Sequence, residues 1–164
     1  MIPHLHIKPA EIYNAKLLAN IIRASNMDVA EKFNLTLENC PKHPSNCSVD
    51  WIKKDFDKKL KYYILEYSGL PKGCVALEQI NHEICYLERL SVLREYRHHG
   101  FGRKLVDHVI EAAKDLGVKT IKIGTIADFT ILNNWYKTLG FIEEEIKEFQ
   151  HLPFKVLMMS YKLK

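Results

Sequence analysis

Two glycines at the point where a strand must become a helix constrain this chain more than any other feature. They lie in Arg97-His98-His99-Gly100-Phe101-Gly102-Arg103. Upstream, Leu87 to Val92 alternates at period two, with Glu88, Leu90 and Val92 on one side and Arg89 and Ser91 on the other; Ile84 and Tyr86 extend this strand pattern backwards. Downstream, Leu105, Val106, Val109, Ile110, Ala113 and Leu116 recur at helical spacing, and Gly117 supplies a stop. Between the two, Gly100 and Gly102 remove side chains where the backbone turns, so successive N–H groups can point outward with a helix dipole behind them. The pattern predicts an anion site.

The remaining chain supplies a sheet around that unit. Leu5 to Lys8 predicts an edge strand. Pro9 opens a helix with Ile12, Leu17, Leu18, Ile21 and Ile22 as its stripe, fading by Ser25-Asn26. From Met27 to Asn46 the periodicity is poor and turn residues abound, which predicts an irregular insertion. Ser48 and Asp50 read as the start of a helix carrying Trp51, Ile52 and Phe56. Lys61 to Tyr67 and Cys74 to Ile80 then form a hairpin that delivers the chain to the opening strand. Val118 to Ile123, the helix Thr130 to Leu139, and strands at Phe141 to Phe149 and Lys155 to Leu163 complete the order. A strand, helix and strand of this length imply a right-handed crossover between parallel strands.

The run Arg97-x-x-Gly100-x-Gly102, preceded by Leu-Glu-Arg-Leu-x-Val and Tyr96, resembles the acetyl-CoA pyrophosphate loop of the GNAT N-acetyltransferases. Asn134-Trp135-Tyr136-Lys137-Thr-Leu-Gly140-Phe141 is similar to that family's later Tyr-x-x-x-Gly-Phe signature. The likeness is strong from Leu87 to Ile142 and thin over roughly the first sixty residues. It implies a single-domain α/β fold over residues 1–164, a mixed twisted sheet flanked by helices of the acyl-CoA N-acyltransferase kind. A splayed parallel strand pair would form the cofactor cleft. Ligands also favour the carboxyl ends of strands in any open parallel sheet.

The implied reaction is direct transfer of an acetyl group from acetyl-CoA to a primary amine, without a covalent enzyme intermediate. Main-chain N–H groups of His98, His99, Gly100, Phe101, Gly102 and Arg103 would take the pyrophosphate, with Arg97 and Arg103 adding charge. Leu90, Ser91 and Val92 would offer main-chain groups to pantetheine and the acetyl carbonyl. Tyr136 matches the tyrosine that often gives a proton to the leaving thiolate, to which a phenol is well matched. The base is less marked: Gly124 stands where some members carry glutamate, which leaves Glu88, then Glu78, or a water chain. Phe129 replaces a common cofactor-binding asparagine, for which Asn133 or Asn134 would substitute. These two departures favour the alternative of a non-catalytic acyl-CoA-binding sensor or regulatory module.

Composition narrows the classes. At 164 residues the chain fits one domain able to bury roughly 70% of its unfolded surface. The net charge of +4 is dispersed among Asp and Glu, so nucleic acid is not an expected partner. No apolar run reaches membrane-spanning length, and the N-terminal residues lack a signal-peptide pattern, so a cytoplasmic protein with reduced cysteines is expected. Cys40-x-x-His43-x-x-x-Cys47 carries zinc-type ligands at a spacing that fits no single-loop site, so no metal is expected. The acceptor, whether a small metabolite, an antibiotic-like amine or a peptide N-terminus, stays open. By the resemblance a homodimer through the C-terminal strands is possible.

Overall fold

The alternating and helical patterns condense into one sheet in a computed structural model that describes residues 4–164; the first three residues of the expected 1–164 domain lie outside the described residues. In chain order the elements are β1 (Leu5–Pro9), α1 (Ala15–Lys32), α2 (Val49–Asp57), β2 (Lys61–Tyr67), β3 (Leu70–Gln79), β4 (Ile84–Val92), α3 (Phe101–Leu116), β5 (Thr120–Ile126), α4 (Thr130–Thr138), β6 (Ile142–Lys147) and β7 (Val156–Lys162). The strands order as β1-β2-β3-β4-β5-β7-β6. Only β4 and β5 run parallel; the other pairs are antiparallel. This is the mixed α/β sheet expected from the sequence.

Each face of the sheet buries its own core. On one side Leu65, Val75, Leu77, Leu87, Ile121 and Met159 pack against Leu105, Val106 and Val109 of α3 and Tyr136 of α4. On the other, Tyr62, Ile64, Cys74 and Ala76 meet Leu18, Ile21 and Ile22 of α1 and Ile52 of α2. Burying a side chain of this size stabilises by about 1.5–3 kcal/mol, so these stripes, rather than helix propensity, fix where the helices lie. Ser48 Oγ accepts from the Trp51 N–H and starts α2 as expected.

The first helix departs from the sequence reading. It begins after a 3-10 turn at Ile12–Asn14, leaves Ile12 half exposed, and runs beyond Ser25-Asn26 to Lys32. Polar residues of its second half meet partners across the fold: Asp28 accepts from Arg97, and Asn26 reaches Ser91. The segment read as an irregular insertion is likewise well packed. Cys40, His43, Ser45 and Cys47 are buried, and Arg23 donates to the Cys47 carbonyl. Its order comes from local hydrogen bonds, which leave no hydrophobic period in the sequence. Two strands also shift: β3 starts at Leu70, inside the expected turn, and β5 starts at Thr120 and runs to Ile126. Among the described residues no helix is long and apolar enough to cross a membrane.

Candidate active site

The parallel pair comes apart where the site begins. β4 and β5 are in register only at Ile84↔Thr120, Cys85↔Ile121 and Tyr86↔Lys122, although β4 continues to Val92 and β5 to Ile126. Beyond Tyr86 the edge of β4 facing β5 therefore offers main-chain N–H and C=O groups with no strand opposite. A cleft of about 720 Å³ opens at this split, lined by Glu88, Leu90, Gly124 and Tyr136 among others.

A bulge in β4 sets which side chains enter it. Cys74 pairs with Ser91 and Ala76 with Glu88, so Val75 alone faces Arg89 and Leu90. Arg89 takes the left-handed φ of 55°, uncommon for a residue with a Cβ, and its guanidinium is held by Asp55 at 3.0 Å and stacked over Trp51. The bulge overturns the expected alternation. Glu88 shares its face with cross-strand partner Ala76, on the α1 and α2 side, whereas Leu90 and Val92 pack with the α3 core. Ser91 is buried and within reach of Asn26 in α1.

Glu88 is half-buried in the cleft, and Glu78 is its diagonal neighbour on β3. Burial first, and the Glu78 charge second, push the Glu88 carboxyl up to about 7. Tyr136 enters from α4. Its ring packs edge-on against Trp135 and Phe141 at centroid distances of 5.0 and 5.4 Å, and burial raises the phenol so that it keeps its proton at neutral pH.

The turn before α3 has the expected anion geometry. His98 and Gly100 adopt positive φ of 65° and 81°, and the start of α3 has no side-chain cap, which leaves the first-turn N–H groups of Phe101, Gly102 and Arg103 without intrahelical partners. His98, His99 and Arg103 are exposed around them, and Phe101 is anchored in the core beside Tyr67. Gly102 serves packing as well: a Cβ there would meet the Trp135 ring at 3.2 Å.

Two of the expected cofactor ligands make hydrogen bonds within the protein. Arg97 turns inward, bonding Asp28, the Ser25 carbonyl and the Val92 carbonyl, and so braces the loop. Asn133 is buried with both amide hydrogens engaged: Oδ1 accepts from Thr125 Oγ1 at 2.6 Å, and Nδ2 donates to the carbonyls of Ile126 and Ala127. It fastens α4 to the end of β5. Val156 and Met158 lie 3.3 and 3.4 Å from where a Cβ on Gly124 would stand, so β7 fills the space beside this position.

One wall of the cleft is not legible in the sequence. Asn26, Val29, His43, Phe129, Phe149 and Phe154 line it, drawn from α1, the loop before α2, the start of α4 and the loop before β7. Clustered aromatics in otherwise irregular segments were the only available signal. Among the described residues, Cys40, His43 and Cys47 belong to no group of metal-binding side chains.

Comparison with known proteins agrees with this architecture. The sequence profile of the "Acetyltransferase (GNAT) family" matches residues 27–141. An "Amino-acid acetyltransferase" of Pseudomonas aeruginosa is 37% identical over 82 residues, which is 49% of this chain and 18% of that protein. The chain thus spans under a fifth of that relative. The PaiA N-acetyltransferase of Thermoplasma acidophilum, solved in complex with coenzyme A, shares the fold with a TM-score of 0.81 at 16% identity, covering 97% of this chain and 99% of the other. The ribosomal-protein-S18-alanine N-acetyltransferase of Escherichia coli superposes with a TM-score of 0.79, also at 16% identity, over 98% and 95% of the two chains. Since the profile covers more than half of its length, this chain belongs to the acetyltransferase (GNAT) family.

Proposed function

We propose that this protein transfers an acetyl group from acetyl-CoA to a primary amine by direct attack. The observation that carries the reading is the split between β4 and β5, which Glu88 enters on the α1 and α2 side and which Tyr136 enters from α4. The residues fit the cosubstrate: the uncapped start of α3 suits a pyrophosphate, and the unpaired edge of β4 suits the amides of pantetheine.

Acetyl-CoA, when bound, supplies the thioester carbonyl. Glu88, ionised above about pH 7, takes a proton from the acceptor ammonium and so frees the lone pair. Main-chain N–H groups of β4 beyond Tyr86 face the position where the oxygen gains charge. Tyr136 holds the proton that a leaving thiolate requires. Arg97 and Asn133 position the loop and α4.

Thiol release from acetyl-CoA across an amine panel tests the reading. Turnover with at least one amine, reduced in both Glu88→Gln and Tyr136→Phe, is expected. Tight coenzyme A binding without turnover on any amine would instead favour the sensor reading, for which Gly124 and Phe129 are the motivating features.

A further inference from the structure

The Cys40 to Cys47 segment, unassigned in the reaction above, places His43 in the acceptor side of the cleft. The ring is 7% exposed, yet it lines the cavity. Its Nδ1 accepts from the Ser45 backbone N–H at 3.2 Å and lies 2.8 Å from Ser45 Oγ. An amide N–H can only donate, so Nδ1 presents a lone pair there. Burial also lowers the imidazole's proton affinity and keeps the ring neutral. The remaining proton therefore sits on Nε2, which makes no hydrogen bond among the described residues. The ring is rigidly set: the 3-10 turn Pro44–Asn46 that follows it packs along α1, and the Asn46 amide donates to the Cys40 and Pro41 carbonyls.

We propose that His43 binds the acceptor substrate, its Nε2–H donating to an oxygen next to the amine that is acetylated. The acceptor class is then an amine flanked by a carbonyl or carboxylate, with an apolar body against Val29, Phe129, Phe149 and Phe154. Three features converge on this class. Glu78 and Glu88 attract an ammonium, the phenyl rings take apolar bulk, and a fixed neutral donor selects an oxygen acceptor over a second cation. The assignment rests on the acetyl-transfer reading for its chemistry but makes a separate claim about binding.

The test uses the full chain and two primary amines that differ by one carboxamide group, phenylalaninamide and phenethylamine. His43→Asn keeps a side-chain oxygen where Nδ1 caps Ser45 and removes the Nε2 donor; His43→Gln places an amide N–H near Nε2 instead. The native chain is expected to favour phenylalaninamide in kcat/KM. His43→Asn should reduce that preference about tenfold, chiefly through KM, and His43→Gln should recover part of it. In nitrogen-15 NMR of the imidazole, phenylalaninamide should shift the His43 Nε2 resonance, and phenethylamine should not. An unchanged preference in His43→Asn, or a ring resonance that phenylalaninamide leaves in place, overturns the proposal. A shifted resonance without any thiol release would overturn acetyl transfer while upholding the binding role of His43.

Discussion

Arg97 Nη1 lies 2.6 Å from Asp28 Oδ2, joining the turn before α3 to the second half of α1. The same guanidinium donates to the Ser25 and Val92 carbonyls, so one side chain ties together the loop, β4 and α1. Asp28→Asn should lower stability by about 1–3 kcal/mol, the usual range for a charge-assisted bond in a partly covered site, and weaken coenzyme A binding a few-fold as the loop loosens. The bond to Arg97 holds the Asp28 carboxyl below the usual carboxylate range. As pH falls, the unfolded chain therefore takes up this proton before the folded one does. The stability gap between native and variant is constant at neutral pH and closes below about pH 4, which denaturant titrations at several pH values will read.

Asn133 makes three hydrogen bonds from a buried amide, to Thr125 and to the Ile126 and Ala127 carbonyls. Asn133→Ala strips partners from groups at the end of β5, which costs on the order of 2–4 kcal/mol at roughly 1 kcal/mol per bond plus the unsatisfied remainder. Thermal melts should show that loss. Coenzyme A affinity at a temperature where the variant stays folded should change less than threefold; a direct cofactor ligand would lose far more.

How far the sequence could be read follows from the range of the forces involved. The α3 stripe, Gly117 and the Ser48 cap are local signals, and the elements appear where those signals put them. The parallel pairing of β4 and β5 follows from the crossover, and their opening from the family likeness alone. The bulge at Arg89 was invisible because its left-handed backbone sits on an arginine, not a glycine, and is held by Asp55, far away in sequence. That one residue moved Glu88 to the opposite face from Leu90. Arg97 and Asn133 read as ligands because a motif reports residue type and spacing; the partners that claim their side chains lie on α1 and β5.

Tyr136→Phe separates packing from proton transfer. The ring contacts with Trp135 and Phe141 survive the change, so stability should stay within about 1 kcal/mol of native. Removing the proposed proton donor should lower kcat by about 10²-fold, at the low end for general acid catalysis, with coenzyme A affinity altered less than twofold. Turnover equal to native would remove the phenol from the reaction.

As the proposed base, Glu88 would tie activity to a cost in stability. Its carboxyl sits at about 7, raised first by burial and then by the Glu78 charge, so the ionised base accumulates only as pH passes neutrality. Native activity should therefore rise across pH 6 to 8. Glu88→Gln should abolish that limb and lower the rate about 10²–10⁴-fold. Glu78→Gln removes only the second cause, so it should move the limb to lower pH while leaving it above the ordinary glutamate range near 4.3. Stability runs the other way. Between the ordinary glutamate value and about pH 7 the folded chain holds a proton that the unfolded chain has lost, so this group makes the fold less stable as pH rises through that window. Glu88→Gln never ionises and should be more stable than the native chain at pH 8, by on the order of 1–2 kcal/mol, with the difference vanishing near pH 4. Paired denaturation curves and rate profiles check both signs together. A variant that lost activity and stability alike at pH 8 would mark Glu88 as a structural carboxylate, because only a base kept desolvated for its chemistry weakens the fold that holds it.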